Sequence, residues 1–372
     1  LLKPHTLYGA PLSLYTGRAR SYLIKAGIEY REKQARSEYF KNVVLPKAGL
    51  RTLPVLELAN GEVIRDGAAI VDYFEAELAQ PFTPSSPKQK LVSQLFDVIG
   101  AEGLLRPAMH YRWNFPKDNL AFVMAGFKEL FPPGPKQAEL AEETANKMRQ
   151  ACLAFGVSDD TQAPVESLYK DFLSALNLHF QALPYLLGGR PSVGDFGLIA
   201  PMFAHLGRDP KPLALMQETA PYVYRWVERM NRREADKGEF DELQDSFLEG
   251  DAIPETLITV LQVLAEDFLP ETLASADCIN DWLESQASLE AGTPVERGVG
   301  FARFELRGKV CDALAQPYRY YLLSRVQETF NAMGEHDRAE TESLLNACKL
   351  APLLSCTLSR AIGRQENREV WL

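Results

Sequence analysis

The sequence predicts an α/β domain followed by an all-α region, and two observations carry that prediction. Leu53-Pro54-Val55-Leu56, then Asn60-Gly61, then Ile64-Arg65-Asp66-Gly67 read as strand, tight turn, strand and helix start, with Asn-Gly between apolar runs a strong hairpin signal. Past Gln80-Pro81-Phe82-Thr83-Pro84-Ser85-Ser86-Pro87, a linker by composition, the pattern turns to helical periodicity with little strand.

Taken in order, Thr6 to Ala10 has a strand pattern, and a helix around Thr16 to Ala26 stops at Gly27. Ile28 to Lys33 alternates like a strand. After a helical or irregular stretch, Leu53 to Leu58 and Glu62 to Arg65 form the hairpin, and a helix runs from about Gly67 to Leu78. The order is βαβαββα over residues 1–82, with a mixed sheet. Helices are expected at 88–106, 135–155, 164–187, 192–206 and 220–233, which makes 88–235 all-helical. Phe131-Pro132-Pro133-Gly134-Pro135 breaks two of them apart. A third region, 236–372, reads as mostly helical, at 254–268, 271–287, 313–333 and 336–362. Within it, alternation from Phe301 to Val310 predicts a short strand or hairpin.

The chain has 372 residues and a net charge of −10, with 46% apolar and 24% charged residues. That balance is ordinary for a globular protein and disfavours nucleic acid or an anionic membrane as a partner, since both select cations. No run of apolar residues is long enough to span a bilayer. The start, Leu1-Leu2-Lys3-Pro4-His5, leads straight into the first strand and does not read as a signal peptide; the missing Met suggests lost upstream residues. Cys152, Cys278, Cys311, Cys348 and Cys356 are few, odd in number and scattered, which favours a reducing cytoplasm over a disulfide framework. His5, His110, His179, His205 and His336 show no ligand spacing, so no metal is expected.

Three places carry candidate chemistry. A proline opening a strand belongs at an edge or a special site. If the bond before Pro54 is cis, Leu53 can offer its N–H and C=O to an extended peptide. Asp66-Gly67 opens a helix, where Asp is a good cap and free N–H groups attract a carboxylate; the Asp side chain suits a ligand ammonium. Ser13 and Tyr15, with Thr16 behind, lie between the first strand and first helix. A hydroxyl there can donate to a ligand thiolate and lower the thiol pKa from its usual value of about 8.5. Each place also has a purely structural reading, as edge proline or helix cap. Ser192-Val193-Gly194-Asp195 reads as a structural capping box. Met109, Tyr111 and Trp113 read either as lining of an apolar pocket or as a helix end packed on its neighbour.

Together these residues resemble the glutathione transferase superfamily. Ser13, Tyr15, Arg18 and Arg20 follow its S-x-[FY]-x-x-K-x-R pattern, and Leu53-Pro54 matches its aliphatic–cis-Pro pair. Asp66 to Ile70 sits where the family has [ED]-[ST]-x-x-I, and Ser192 to Asp195 matches its helical capping box. The resemblance covers about residues 6–235. It implies a thioredoxin-like domain that binds glutathione, a helical domain behind it, and an apolar electrophile between the two. It assigns Ser13, with Tyr15 as alternative, to the thiolate. Leu53, beside Pro54, takes the cysteinyl unit, and Asp66 with the Gly67 N–H takes the γ-glutamyl end. Dimerisation is common in the family, so a homodimer is an expectation. The departures are Gly67 in place of a hydroxyl residue, Arg18 in place of Lys, and Thr52 in place of a Lys for which the adjacent Arg51 is a substitute. Two other readings stay open: a non-catalytic binding protein, and a glutathione-dependent lyase or reductase, the latter lacking a cysteine near position 13. Residues 236–372 are foreign to the resemblance and could cover the cleft, replace a dimer partner or bind something of their own.

Overall fold

The structure is a computed structural model that describes residues 4–286 and 288–372. The reading of the chain start rests on residues 1–3 and lies outside them. Four short strands, β1 (His5–Tyr8), β2 (Tyr30–Lys33), β3 (Val55–Glu57) and β4 (Val63–Arg65), form one sheet in the order β2-β1-β3-β4. β1 and β2 are parallel, and α1 (Leu14–Lys25) makes the crossover that a parallel pair requires. β3 runs antiparallel to both β1 and β4. A π-helical turn at Phe40–Val44 leads into α2 (Leu45–Ala48), and α3 (Gly67–Glu75) follows β4. This is the predicted βαβαββα order.

The hairpin between β3 and β4 is one residue longer than the Asn-Gly dipeptide suggests. Leu58 C=O accepts from Gly61 N–H at 2.9 Å and Leu58 N–H donates to Glu62 C=O at 2.8 Å. Only Gly61 has positive φ, +87°, as in a turn closed by a left-handed glycine. The central pair buries both faces. Leu7 and Leu56 join the main core with Tyr22, Leu23 and Ile70, whereas Tyr8 and Val55 face Phe40, Val44 and Ala48.

Helices follow. The predicted helix 88–106 is α4 (Pro87–Val98), a π-helical turn at Ile99–Gly103, and the start of α5 (Leu105–Trp113). Next come α6 (Pro116–Glu129), α7 (Gln137–Gln150), α8 (Gln162–Ala182), α9 (Val193–Ala204), α10 (Pro210–Thr219) and α11 (Pro221–Met230). α6 and α10 lie outside the predicted helices. Each begins with proline in its first turn, where proline starts a helix rather than breaking it. α9 is buried on all sides and packs on α1 and α4. A Cβ on Gly197 would lie 2.4 Å from Asp97 Cα, so that glycine sets the close crossing of α9 and α4. The capping box is present: Asp195 Oδ2 accepts from Ser192 N–H at 2.8 Å, while its Oδ1 accepts from Trp226 Nε1 at 3.0 Å.

The remaining chain wraps back over the first two regions. α12 (Glu255–Ser285) is one helix through Pro270, where two were expected. The proline removes one donor, but both flanks are held by packing, and Thr272 donates its hydroxyl to Phe268 C=O at 2.5 Å. β5 (Phe301–Leu306) and β6 (Lys309–Leu314) form the expected hairpin, turned by Arg307 and Gly308 with φ of 47° and 77°. The helix expected at 313–333 begins only after Pro317, as α13 (Tyr318–Asn331), which packs along α4. The helix expected at 336–362 ends early, as α14 (Glu335–Ala347). Behind it, β7 (Ile362–Gln365) and β8 (Arg368–Trp371) pair as a hairpin. Strands this short and this charged leave little alternation to read.

That last hairpin docks on the free edge of β4. Asn367 Oδ1 accepts from Arg65 N–H at 3.0 Å, and its Nδ2 donates to Val63 C=O at 2.9 Å. The side-chain amide stands where the next strand's peptide would, which satisfies the edge. Arg65 also pairs with Glu369 at 2.6 Å. Trp371 is fully buried beside Trp282. Among the described residues, no helix is long and apolar enough to cross a membrane. Replacing Trp371 by Ala removes a large buried side chain and is expected to cost about 3–5 kcal/mol. A denaturant midpoint unchanged in Trp371→Ala would show that the terminal hairpin is not part of the cooperative fold.

Candidate functional site

The strand register brings the sequence candidates to one end of the sheet. Tyr8 pairs with Val55, and Val55 with Arg65. The exit of β1, the entry of β3 and the exit of β4 are therefore adjacent. Ser13, Leu53-Pro54 and Asp66 lie just beyond those three points.

The Leu53–Pro54 bond is cis. Pro54 C=O accepts from Asp66 N–H at 3.0 Å, which ties the second point to the third. Leu53 is half-buried, and among the described residues its own N–H and C=O bond to nothing. Asp66 has φ +86° and ψ 139°, a backbone conformation that costs a non-glycine residue of order 1–3 kcal/mol. Its Oδ1 accepts from Ala68 N–H at 2.8 Å, Ala69 N–H at 3.3 Å and the Tyr318 hydroxyl at 2.9 Å. Gly67 is buried, and a Cβ there would sit 3.0 Å from Tyr15 C=O and 3.4 Å from Arg18 Cδ. The missing side chain lets α3 begin tightly against α1.

Ser13 caps α1. Its Oγ accepts from Thr16 N–H at 3.4 Å, and its own proton has no acceptor among the described residues. The loop before it is held from below: Arg112 donates to Leu12 C=O at 2.9 Å while paired with Asp209 at 2.7 Å. Tyr15 is committed elsewhere. Its hydroxyl donates to Glu102 Oε1 at 3.2 Å, and burial beside that carboxylate pushes its pKa well above the ordinary value. Of the two predicted donors, only Ser13 keeps a free proton. The motif's cations are structural. Arg18 is buried against Asp97 at 2.5 Å, and Arg20 pairs with Glu32 at 2.6 Å. Arg51 is exposed, and Thr52 Oγ1 accepts from Arg65 at 3.4 Å.

The predicted pocket lining is core. Met109, Tyr111 and Trp113 are 7%, 1% and 6% exposed, because α5 is buried on every side. Tyr111 stacks on Phe115, and Met109 and Trp113 pack with Val123 and Phe127. No metal-binding group of His, Cys, Asp and Glu occurs among the described residues.

Two residues at the site were missed by sequence reasoning. Glu102 is buried in the π-helical turn. Desolvation pushes its pKa up to about 7, against the pull of Arg319 and Tyr15. Glu102 and Asp97, two carboxylates in an otherwise apolar run from Leu95 to Leu105, were the available signal. Tyr318 opens α13, and nothing near it in sequence ties it to Asp66. The neighbouring Arg319 pairs with Glu271 at 2.9 Å and donates to Glu102 C=O at 3.2 Å. Because burial raises the folded pKa of Glu102 from the ordinary 4.5, the folded state binds its proton more tightly than the unfolded chain does. The stability this gives is full below about pH 4.5 and is lost as pH rises through about 7. Glu102→Gln keeps an acceptor for Tyr15 and should flatten this part of the profile of unfolding free energy against pH. Identical profiles for the two proteins would contradict the assignment.

Residues 7–82 match the family described as the N-terminal domain of glutathione S-transferase. A comparison with curated proteins found no match. Among solved structures, the chain is similar to glutathione transferase GSTFuA3 from Phanerochaete chrysosporium, with 17% identity, a TM-score of 0.45, and 63% of this chain and 98% of that one covered. It is also similar to a glutathione S-transferase of Ceriporiopsis subvermispora in complex with glutathione, with 16% identity, a TM-score of 0.43, and coverage of 62% and 98%. A third is beta-etherase LigF from Sphingobium sp., with 18% identity, a TM-score of 0.40, and coverage of 64% and 100%. Residues 7–82 are thus similar to the N-terminal domain of glutathione S-transferases.

Proposed function

We propose that the chain binds glutathione at the strand-end site and directs its sulfur onto an apolar electrophile. The observation that carries this reading is the N–H and C=O of Leu53 at the entry of β3, unpaired among the described residues. An extended peptide can satisfy both as an added strand, and the cysteinyl unit of glutathione takes that place. Its sulfur then lies toward Ser13 and the N-terminus of α1. The Ser13 proton and the helix end favour thiolate over thiol. The thiol proton leaves to solvent, the thiolate forms a carbon–sulfur bond, and the electrophile's leaving group departs with its electron pair. No covalent bond to the protein is needed. At the other end, Asp66 takes the γ-glutamyl ammonium, and the first turn of α3 takes the carboxylate. A hydroxyl at position 13, where disulfide exchange would need a thiol, sets this apart from a reductase. The unpaired cysteines suit a reducing cytoplasm.

A second reading is a glutathione-binding protein without turnover. The commitment of Tyr15 to Glu102 favours it, because of the two candidate hydroxyls only Ser13 is then left to hold a thiolate. Conjugation of glutathione to chlorodinitrobenzene separates the two. The transferase reading expects turnover in the wild type and a loss of roughly a hundredfold in kcat/KM for Ser13→Ala, as for removal of one donor to a reacting anion. Full activity in Ser13→Ala would remove Ser13 from the chemistry. Binding heat without turnover would favour the second reading, and no heat with millimolar glutathione would overturn both.

A further inference from the structure

The two oxygens of Asp66 are used unequally. Oδ1 carries the Ala68 and Ala69 N–H groups and the Tyr318 hydroxyl. An ionised carboxylate oxygen offers about two lone-pair sites, so this oxygen is saturated. Oδ2 has no protein donor among the described residues. The carboxylate is therefore fixed in one orientation, with a single oxygen left for a ligand.

Tyr318 reaches Asp66 from 252 residues along the chain, and it is held there from behind. Arg319 is buried against Glu271, Thr272 Oγ1 and Glu102 C=O. Tyr320 donates to Thr272 C=O at 2.5 Å. One turn further, Arg325 clamps Asp72 on α3 with two bonds, of 3.0 and 2.7 Å. The hydroxyl cannot leave Asp66 by moving α13 without breaking the buried Arg319–Glu271 pair and the Arg325–Asp72 pair. Its side chain is half-buried and packs against the main core.

We infer that Tyr318 is a positioning residue of the glutathione site: it turns Asp66 so that Oδ2 meets the ligand's free α-ammonium. This rests on the proposed glutathione reading and deepens it. The third region of the chain completes the site, and the ligand class it selects is a thiol peptide whose γ-glutamyl amine is free and charged. A peptide with that amine acylated offers Oδ2 no cation and gains nothing from the arrangement.

The test is calorimetric titration of the full chain and of Tyr318→Phe with glutathione and with N-acetylglutathione. The phenyl ring keeps the packing and loses only the hydroxyl, and the unfolding midpoint checks the fold. The expected result is a five- to tenfold rise in Kd for glutathione in Tyr318→Phe, with the Kd for N-acetylglutathione the same in both proteins. Asp66→Asn, which removes the charge itself, should bring the two ligands to equal affinity. Equal weakening of both ligands in Tyr318→Phe would mean a general structural role and overturns the inference. So does an unchanged Kd for glutathione. Tighter glutathione binding in the variant would show that Tyr318 obstructs the site. If the wild type binds neither ligand, the glutathione reading itself fails; if it binds glutathione and the variant matches it, only the role of Tyr318 fails.

Discussion

The buried guanidinium of Arg319 governs how the three parts of this chain meet. A charge removed from water costs several kcal/mol unless it is paired and hydrogen-bonded. Arg319 finds its partners on two other elements: Glu271 and Thr272 on α12, and the carbonyl of Glu102 in the π-helical turn. Arg106 on α5 shares Glu271 with it and also pairs with Asp267. These groups pair only when α12, α13, the π-helical turn and α5 come together. Tyr318, one residue earlier, then lies on Asp66.

The site that results is built from distant stretches of sequence. The sheet register supplies three adjacent chain ends. α5 holds the loop before Ser13 through Arg112, and α13 supplies the hydroxyl that orients Asp66. Glycines appear where elements approach most closely, as at Gly67 beneath Tyr15 and Gly197 against α4. With part of the water excluded by α13, charges at this junction interact more strongly than they would on an open surface. That suits both the orientation of a charged peptide and the stabilisation of a sulfur anion.

Local chemistry made much of this legible. Asn60-Gly61, Pro54 and Asp66 each impose a backbone choice within a few residues, so the hairpin, the strand entry and the helix cap could be read directly. The Ser192–Asp195 box was equally local. What escaped reading depends on tertiary packing. Pro270 sits inside one continuous helix because the flanking turns are held by neighbours. Glu102 lies on a π-helical turn whose register no periodicity announces. Met109, Tyr111 and Trp113 looked like a pocket because aromatic and apolar side chains at helical spacing line pockets and cores alike; burial on all sides of α5 decides for core. The docking of β7 and β8 on β4 runs through the Asn367 amide and the Arg65–Glu369 pair, neither of which the sequence alone gives reason to single out.

The central claim is that this sheet end holds glutathione with its sulfur as an anion. The ultraviolet difference spectrum of the full chain titrated with glutathione at neutral pH measures this most directly. The account predicts a thiolate absorption band that saturates with ligand well below the usual thiol pKa of about 8.5. Saturable binding with no such band at neutral pH would contradict it.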